Sequence, residues 1–258
     1  MFPQNVSICF FSGTGNTLLV VKKIQEALQE TDRDVKILPM EKEDPPVLSA
    51  GRVLGLAFPV ACFSTYPFVR NFIQRLPRAD NVPVFLTVTM AACAGGVVGA
   101  MRRILLEKGY KPVGAAAIIM PSNFHVARRN AKSEQKKIAG GLAKAANFAN
   151  RLAEGRASWG RVPLISDLLF ELGCSSLPWR EMARAGAKYR ADPGLCSRCG
   201  LCVRLCPVEN IVMEERPLFL DHCVQCMRCY AFCPESAIIM PGKSFARYRS
   251  VDADDLLI

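Results

Sequence analysis

Along residues 1–154, short apolar runs alternate with longer stretches in which apolar residues recur every three or four positions. The short runs are typical of buried strands and the longer stretches of amphipathic helices. The pattern predicts five strands, Val6–Phe11, Asp34–Leu38, Arg52–Phe58, Val82–Thr89 and Val113–Met120. It also predicts four helices, Asn16–Glu30, Tyr66–Leu76, Val97–Lys108 and Arg128–Glu154.

This alternation of strand and helix determines the expected fold class. Strands that alternate with helices pair in parallel and are covered by helices on both faces, which gives a doubly wound α/β sheet. In such folds, ligands bind in a crevice at the carboxyl ends of the strands. We therefore expect functional residues in the loops that follow the strands.

The pattern changes in residues 155–188, where basic positions flank an apolar cluster between Trp159 and Leu172. We expect a linker helix packed against one of two domains. A helix on a membrane surface is the alternative, and it is disfavoured because Asp167 and Glu171 would face anionic lipid. The predicted organisation is 1–154, the α/β domain; 155–188, the linker; 189–241, a small second domain; and 242–258, a tail.

Charge adds a possible partner surface to this organisation. The chain has 258 residues and a formal net charge of +10, and residues 121–190 hold 13 Lys and Arg against 5 Asp and Glu. A solvated helix face explains this excess, while an acidic partner protein and an anionic membrane surface are the functional alternatives. Nucleic acid is not an expected partner, because no DNA- or RNA-binding motif accompanies the charge.

Hydropathy and cysteine usage indicate the compartment. No apolar run is long enough to span a membrane, and Met1–Phe11 lacks the basic start of a secretion signal. Twelve cysteines without such a signal are more typical of metal ligands in a reducing compartment than of disulfides. We therefore expect a cytoplasmic protein.

Eight of the twelve cysteines lie in two copies of one pattern. The segments CSRCGLCVRLCP (Cys196 to Pro207) and CVQCMRCYAFCP (Cys223 to Pro234) share the form C-x2-C-x2-C-x3-C-P, with the same offset between every pair of equivalent cysteines. Thiolate sulfur suits iron–sulfur clusters, and zinc is the competing metal. Zinc is usually held by two separate C-x2-C pairs, so three closely spaced cysteines and a fourth before proline favour [4Fe–4S] clusters.

On these cysteines, the last fifth of the chain resembles a bacterial-type dicluster ferredoxin. The resemblance implies that each cluster takes three cysteines from one copy of the pattern and the fourth from the other. Arg198, Arg204 and Arg228 lie among the ligands, and we expect them on the surface. The implied ligands are Cys196, Cys199, Cys202 and Cys233 for the first cluster, and Cys223, Cys226, Cys229 and Cys206 for the second.

A glycine-rich turn, SGTGNT from Ser12 to Thr17, follows the first predicted strand. Its backbone N–H groups and the helix that it opens favour an anion. A P-loop would end in Gly-Lys-Ser/Thr, and a dinucleotide fingerprint would carry glycine in place of Leu18, so both match poorly. A helix cap would explain the hydroxyls, whereas a flavodoxin phosphate loop would use them to surround the phosphate of FMN.

Further segments follow the third, fourth and fifth predicted strands, and small residues after the fourth would let backbone approach a flat ring. With the glycine turn and the cysteine repeat, they resemble the fusion of a flavodoxin-like domain with a dicluster ferredoxin, the ferrodoxin type, over nearly the whole chain. The resemblance implies a five-stranded parallel sheet of order 2-1-3-4-5, a small α+β ferredoxin-like domain, one FMN and two [4Fe–4S] clusters.

The resemblance also implies the residues that bind FMN. Flavodoxins usually stack aromatic rings on both faces of the flavin. The segment after the fourth predicted strand offers no aromatic residue, so the sequence departs from this pattern, and Phe63, Tyr66 or Phe124 are candidates for one face. The FMN-binding set is Ser12, Gly13, Thr14, Gly15, Asn16, Thr17, Pro59, Val60, Ala61, Cys62, Phe63, Met90, Ala91, Ala92, Cys93, Ala94, Gly95, Gly96, Asn123 and Phe124.

The two parts together imply an electron-transfer protein of anaerobic metabolism. Low-potential electrons would pass among the clusters, FMN and a redox partner such as a ferredoxin or an oxidoreductase. One alternative is a flavin-dependent reductase with its own small-molecule substrate, in which Cys62, Cys93, Asn123 or His125 would act at the ring. The other is a cluster-based redox sensor. Direct NAD(P)H oxidation is not expected, because the sequence shows no second nucleotide-binding domain.

Overall fold

The contacts of the chain divide it into two compact units. Unit 1 comprises residues 1–12, 17–121 and 132–174, and unit 2 comprises residues 13–16, 122–131 and 175–258. The boundary at Cys174 lies inside the range that the sequence assigned to the linker, and the tail belongs to unit 2. The structure, a computed structural model, describes residues 2–48, 51–124, 129–160, 165–242 and 245–257.

The elements from Asn5 to Cys174 follow the predicted alternation, with ends that differ by up to three residues. The strands are β1 (Asn5–Phe10), β2 (Asp34–Pro39), β3 (Arg52–Pro59), β4 (Pro83–Met90) and β5 (Lys111–Ile119). The helices are α1 (Asn16–Gln29), α2 (Pro67–Arg75), α3 (Val97–Glu107), α4 (Ala131–Ala153) and α5 (Ile165–Cys174).

The five strands form one parallel sheet in the order β2-β1-β3-β4-β5. This is the flavodoxin-like doubly wound order, so the predicted fold class is confirmed. The order reverses at β1, which pairs with β2 on one side and with β3 on the other. The loops after β1 and β3 therefore leave the sheet at its switch point, where such folds bind their ligands.

Burial along the strands reflects their place in the sheet. The interior strands β3 and β4 are buried at every position except their first and last, because helices cover both faces. The edge strand β5 is less completely buried and ends with an exposed residue, Ile119. The core of unit 1 is thus centred on β1, β3 and β4.

Unit 2 is a small α+β unit, as expected. Two antiparallel pairs, β6 with β9 and β7 with β8, pack with short helices around Ile211, Phe219 and Ile238. Its strands are β6 (Arg190–Ala191), β7 (Ile211–Met213), β8 (Pro217–Phe219) and β9 (Ile238–Ile239), and its helices are α6 (Ser176–Gly186), α7 (Leu201–Arg204) and α8 (Arg228–Phe232). A 3-10 turn, Asp254–Leu256, lies near the end of the tail.

The predicted linker contains two helices instead of one. Helix α5 belongs to unit 1, where Glu171 pairs with Arg103 of α3 at 3.4 Å, and α6 belongs to unit 2. Ser175 separates them with an extended backbone (ψ 152°), which interrupts the helical path. Leu168 and Leu172 of α5 are exposed. Across the described residues, no helix is both long enough and apolar enough to cross a membrane.

Candidate functional site

Unit 2 brings cysteines from both copies of the repeat into one cavity. The cavity is open to solvent, and the space within its lining, its opening included, is about 420 Å³. Its lining includes Cys206, which comes from the first copy, together with Cys223, Cys226 and Cys229 from the second. The four thiols are those that the ferredoxin resemblance assigned to the second cluster. We call this space cavity II.

A second space, cavity I, has the reciprocal composition. Its volume is about 330 Å³, and its lining includes Cys196, Cys199 and Cys202 from the first copy and Cys233 from the second. Each fourth cysteine therefore crosses to the cavity of the other copy. Four soft thiol donors line each cavity, and this is the donor set that an iron–sulfur cluster requires.

The two copies of the repeat also share an unusual backbone. Positive φ angles occur at equivalent positions of the two copies: Arg198 (60°) with Gln225 (51°), and Gly200 (73°) with Met227 (69°). The left-handed conformation costs a non-glycine residue roughly 1–2 kcal/mol. Both copies adopt this left-handed conformation between their cysteines. The conformation turns the chain tightly, so that consecutive cysteines face one cavity. Strain of this kind persists where the surroundings impose it, as they do at functional sites.

Backbone N–H groups point at several cysteine sulfurs. Asn210 N donates to Cys206 Sγ at 3.2 Å, and Ala237 N donates to Cys233 Sγ at the same distance. These two donors are again equivalent positions of the repeat, so the cysteine that each copy contributes to the other cavity receives the same bond. Hydrogen bonds to sulfur stabilise negative charge there and are one means by which a protein tunes cluster potential.

Burial keeps several of these thiols neutral in the absence of a cation. It raises the pKa of Cys202 to about 11 and that of Cys226 to about 12. The pKa of Cys229 is raised well above its ordinary value, first by burial and then by neighbouring cysteines. A metal group that binds here as a thiolate complex must therefore displace protons and supply positive charge.

The three arginines among the ligands have two different environments. Arg198 and Arg204 are exposed, as the sequence predicted. Arg228 is not on the surface: it is 2% exposed, lines cavity II and donates from Nη1 to the carbonyl of Leu205 at 3.3 Å. The expectation for Arg228 was wrong because α8 turns its first residue inward, which the spacing of residue types in the repeat does not reveal.

The glycine-rich turn, residues 12–17, has residues in both units. Residues 13–16 belong to unit 2, where Thr14 Oγ1 donates to Asn123 Oδ1 at 2.6 Å. The tail of the same unit also contacts the turn: Tyr248 OH donates to Asn16 Oδ1 at 2.5 Å, and Ser250 N donates to the carbonyl of Thr14 at 2.9 Å. No motif in the sequence indicated these tail contacts, since they join opposite ends of the chain.

Glycine is required at two points of this turn. Gly15 has a φ of 103°, and a Cβ there would lie 2.6 Å from Ser250 Oγ. A Cβ on Gly13 would lie 2.6 Å from the carbonyl oxygen of Cys226. Within unit 2, the turn therefore approaches the backbone of a cysteine that lines cavity II.

The two ends of the turn lie in unit 1. Ser12 Oγ accepts a hydrogen bond from Leu18 N at 3.3 Å, so this hydroxyl caps α1. The hydroxyls of Thr17 and Thr89 are 2.8 Å apart and form a hydrogen bond between the turn and the end of β4. The helix-cap interpretation therefore applies to Ser12. The first turn of α1 contains no acidic residue, so its N-terminal partial charge is available to an anion.

The loops after β3 and β4 meet within unit 1. Ala61 and Ser64 exchange two backbone hydrogen bonds at 3.0 and 2.9 Å, so Cys62 and Phe63 form a two-residue hairpin turn. Both have positive φ angles, 50° and 58°, as a type I′ turn requires. Gly95 lies against this turn, where its Cβ would be 2.7 Å from Phe63 Cα. Pro59–Phe63 and Met90–Gly96 are therefore neighbouring segments at the carboxyl edge of the sheet.

The three aromatic candidates differ in exposure. Phe63 is 50% exposed at the tip of its turn, and Phe124 is 43% exposed, with its ring 5.4 Å from that of Phe245 in unit 2. Tyr66 is 5% exposed and packs edge-on against Phe11 at 5.2 Å. Tyr66 is thus part of the core, which leaves Phe63 and Phe124 as accessible rings.

The remaining cysteines lie in unit 1. Cys9 is fully buried in β1, and Cys93 is exposed. Cys62 is partly buried, which raises its pKa, and Cys174 Sγ lies 3.4 Å from Ser64 Oγ. The hypothesis of a reactive thiol at Cys62 gains no support from a raised pKa, because the thiolate is the nucleophile. His125 lies outside the described residues.

The two parts of the chain match different groups of known proteins. Residues 188–234 match the 4Fe-4S dicluster domain family. The resemblance of this segment to dicluster ferredoxins is thereby confirmed. A coenzyme F420-dependent sulfite reductase of Methanocaldococcus jannaschii is 38% identical over 45 residues, which are 17% of this chain and 7% of that protein. The chain thus matches only a small part of this curated relative.

Flavodoxins are among the solved structures that resemble the N-terminal part of the chain. The flavodoxin of Streptococcus pneumoniae is 15% identical, covers 58% of this chain and 98% of its own, and has a TM-score of 0.46. The flavodoxin of Megasphaera elsdenii is 24% identical over 55% of this chain and 98% of its own, with a TM-score of 0.39. The flavodoxin-like description of the sheet depends on its strand order, given above.

Proposed function

We propose that this protein is an electron carrier that holds two [4Fe–4S] clusters and one FMN and exchanges electrons with a redox partner. The observation that carries the proposal is the reciprocal composition of the two cavities. Cys196, Cys199, Cys202 and Cys233 would hold the first cluster, and Cys223, Cys226, Cys229 and Cys206 the second. When bound, clusters supply single-electron chemistry and FMN supplies one- or two-electron chemistry.

The chain's own residues fit clusters in both cavities. Thiols provide the ligands, the N–H groups of Asn210 and Ala237 donate to ligand sulfur, and apolar side chains such as Ile211 and Ile238 exclude water. A cluster supplies the positive iron charge that buried thiols need before they lose their protons. These contributions hold and orient the cofactors, while the redox chemistry is theirs.

Paired cysteine variants test the crossed ligand assignment. The purified anaerobic protein should contain about eight iron atoms per chain, and Cys206→Ala about four. Adding Cys223→Ala to Cys206→Ala should remove no further iron, because both residues serve cavity II. Adding Cys196→Ala instead should lower the iron content to near zero, because it also removes the cluster of cavity I.

The opposite pattern would contradict the crossed assignment. If Cys206 completed the cluster of its own copy, the combination with Cys196→Ala would retain about four iron atoms and the combination with Cys223→Ala would lose nearly all of them. Zinc in place of iron in the wild-type protein would contradict the cluster proposal itself.

FMN is proposed to bind at the carboxyl edge of the sheet. Its phosphate would lie at the N-terminus of α1, where the turn from Ser12 to Thr17 offers backbone N–H groups and hydroxyls without a competing acid. Pro59–Phe63 and Met90–Gly96 would contact the ring, with Phe63 as an accessible aromatic. Asn123 and Phe124 are the further proposed contacts. Flavin content measured alongside iron and sulfide tests this, with about one FMN per chain expected.

The position of Gly13 supports electron exchange between FMN and the clusters. In unit 2 this glycine permits the phosphate turn to approach the carbonyl of Cys226, one of the thiols of cavity II. A flavin anchored by that turn would have a cluster ligand near its anchor.

Two other outcomes would favour the alternative functions. Turnover of a small molecule without any protein acceptor would favour the flavin-dependent reductase. An affinity for a partner that changes with the redox state of the clusters would favour the redox sensor.

The proposed partner is a protein with an acidic surface, such as a ferredoxin or an oxidoreductase. Helix α4 of unit 1 exposes Lys132, Lys136, Lys137 and Lys144 along its length. A row of exposed cations attracts an acidic partner and speeds its encounter at low ionic strength. This is the surface that we propose for docking.

A further inference from the structure

The repeat allows each residue of one cavity to be compared with its counterpart at the equivalent position of the other copy. Most counterparts have the same role: Cys206 corresponds to Cys233, and the N–H donors that follow them occupy equivalent positions. Side chains that differ between counterparts can therefore make the two cavities unequal toward the groups they bind.

Asn210 is such a side chain. Its counterpart is Ala237, so the two backbones donate the same bond to sulfur, but only cavity II has a side-chain amide beside that bond. Asn210 is 1% exposed. Its Oδ1 accepts a hydrogen bond from His222 N at 2.8 Å, and this bond fixes which end of the amide is oxygen.

The other end of this amide has no partner among the described residues. Asn210 Nδ2 is buried and makes no hydrogen bond, although its residue lines cavity II. An unpaired buried donor is costly, so native structures rarely leave one without a use. The amide is therefore a donor available to a group that occupies the cavity.

Cavity II also contains a buried cation. Arg228 lines it, while the counterpart of Arg228 in the first copy is Leu201, which lines cavity I. Arg228 is only 2% exposed, so its positive charge is poorly screened by solvent and stabilises negative charge in this cavity. Both asymmetric residues thus favour a more negative occupant in cavity II.

We propose that Asn210 Nδ2 donates a hydrogen bond to a sulfur of the cluster in cavity II and thereby raises the reduction potential of that cluster. This inference rests on the proposed function. Reduction adds one electron from an external low-potential reductant and moves no proton, so the sulfurs become more negative. A charge-assisted hydrogen bond is stronger to the more negative sulfur and favours the reduced state.

Two substitutions separate this role from a structural one. Asn210→Ala removes the donor and also the acceptor for His222 N. Asn210→Asp removes the amide donor but retains an oxygen for His222 N, and adds negative charge. The donor role predicts that the reduction potential of the cluster in cavity II is highest in the wild type, lower in Asn210→Ala and lowest in Asn210→Asp. The potential of the cluster in cavity I should stay the same in all three proteins. A purely structural role predicts that Asn210→Ala lowers stability or iron content but leaves both potentials unchanged.

The measurement is an anaerobic redox titration followed by electron paramagnetic resonance, with iron content determined for every sample. At a fixed potential, we expect the ratio of reduced to oxidised cluster in cavity II to fall roughly three- to tenfold in Asn210→Ala. A tenfold change corresponds to a shift of about 59 mV in the reduction potential for one electron. Two unchanged potentials in a variant with full iron content would overturn the inference.

A second measurement needs no substitution. Asparagine labelled with ¹⁵N only in the side-chain amide is incorporated into the wild-type protein, and pulsed electron paramagnetic resonance is recorded on the reduced clusters. A ¹⁵N coupling is expected, because only Asn210 among the asparagines lines either cavity in the described chain. Clusters without this coupling would overturn the inference alone, whereas a protein without clusters would overturn the proposed function.

Discussion

Cys9 shows how one buried residue couples the fold of unit 1 to pH. It lies in β1 with no exposed surface, and burial, followed by the charge of Glu43, raises the pKa of its thiol to about 12. The unfolded chain would release this proton near pH 9, its ordinary value. Stability from the neutral thiol is therefore fully present below about pH 9 and is lost as the pH rises toward 12.

Replacing Cys9 should remove this part of the pH dependence. Between pH 8 and pH 10 the thiol should contribute a loss of about 1.4 kcal/mol in the free energy of unfolding, and Cys9→Ala should lack it. Urea unfolding at both pH values measures the difference. Ile8→Val, at the neighbouring position of β1, is the control: it should lower stability by about 1 kcal/mol at both pH values and retain the slope. Equal slopes for Cys9→Ala and wild type would contradict the account.

Among the elements, the loops after β3 and β4 illustrate how a strained turn is held in place. Cys62 and Phe63 adopt left-handed conformations that bulky residues avoid, and Gly95 fits against their backbone because it has no Cβ. Gly96 N also donates to the carbonyl of Phe63 at 3.3 Å. The close contact of the two loops determines where the exposed ring of Phe63 lies.

Gly95→Ala should therefore weaken FMN binding. Its Cβ would collide with Phe63, and its own φ of 57° would be strained, at a cost of roughly 1–3 kcal/mol. We expect a roughly five- to 100-fold higher Kd in a fluorescence titration with FMN. Gly140→Ala in α4 is the matched control, because nothing lies within 4 Å of its Cβ position. It should leave the Kd unchanged, and an unchanged Kd in Gly95→Ala would contradict the proposed ring contact.

The elements that sequence predicted well are those set by local pattern. The runs in β1, β3 and β4 are mostly apolar because both faces are covered, so their positions and parallel pairing follow from the sequence. The cysteine repeat likewise indicated which thiols share a cavity through its resemblance to ferredoxins. The break at Ser175 was not predicted, because a single serine between two helices is a weak signal in one sequence.

Residues placed by distant contacts escaped prediction. Tyr66 packs on Phe11, and Tyr248 of the tail reaches Asn16, through contacts that no local periodicity contains. The sequence pattern does not distinguish Asn210 from other loop residues, because its burial and the lack of a partner for Nδ2 among the described residues depend on the fold. Burial of a polar side chain depends on the whole packing arrangement, so a pattern of residue types alone does not reveal it.

At the scale of the whole molecule, charge is expected to govern partner encounter. Lys136→Glu combined with Lys137→Glu reverses two exposed cations of α4. The association rate with an acidic, reduced ferredoxin should fall several-fold at low ionic strength, and the difference should shrink as salt screens the charges. Stopped-flow reduction at two salt concentrations measures this.

The matched control changes the same net charge elsewhere. Arg78→Glu with Lys111→Glu replaces exposed cations at the edge of the sheet where β4 and β5 begin, opposite the carboxyl ends. This variant should associate almost as fast as wild type. An equal loss in both variants would show that net charge alone matters and would contradict a docking role for α4.

The central claim is that electrons pass between the clusters and FMN within one chain. The direct test mixes anaerobic protein carrying both clusters and FMN with reduced ferredoxin and follows flavin absorbance by stopped flow. The account predicts that the absorbance of oxidised flavin disappears together with or after cluster reduction. The double variant Cys196→Ala with Cys206→Ala, which lacks both clusters, should lose this rapid reduction of the flavin. Clusters that become fully reduced while the flavin stays oxidised would contradict it.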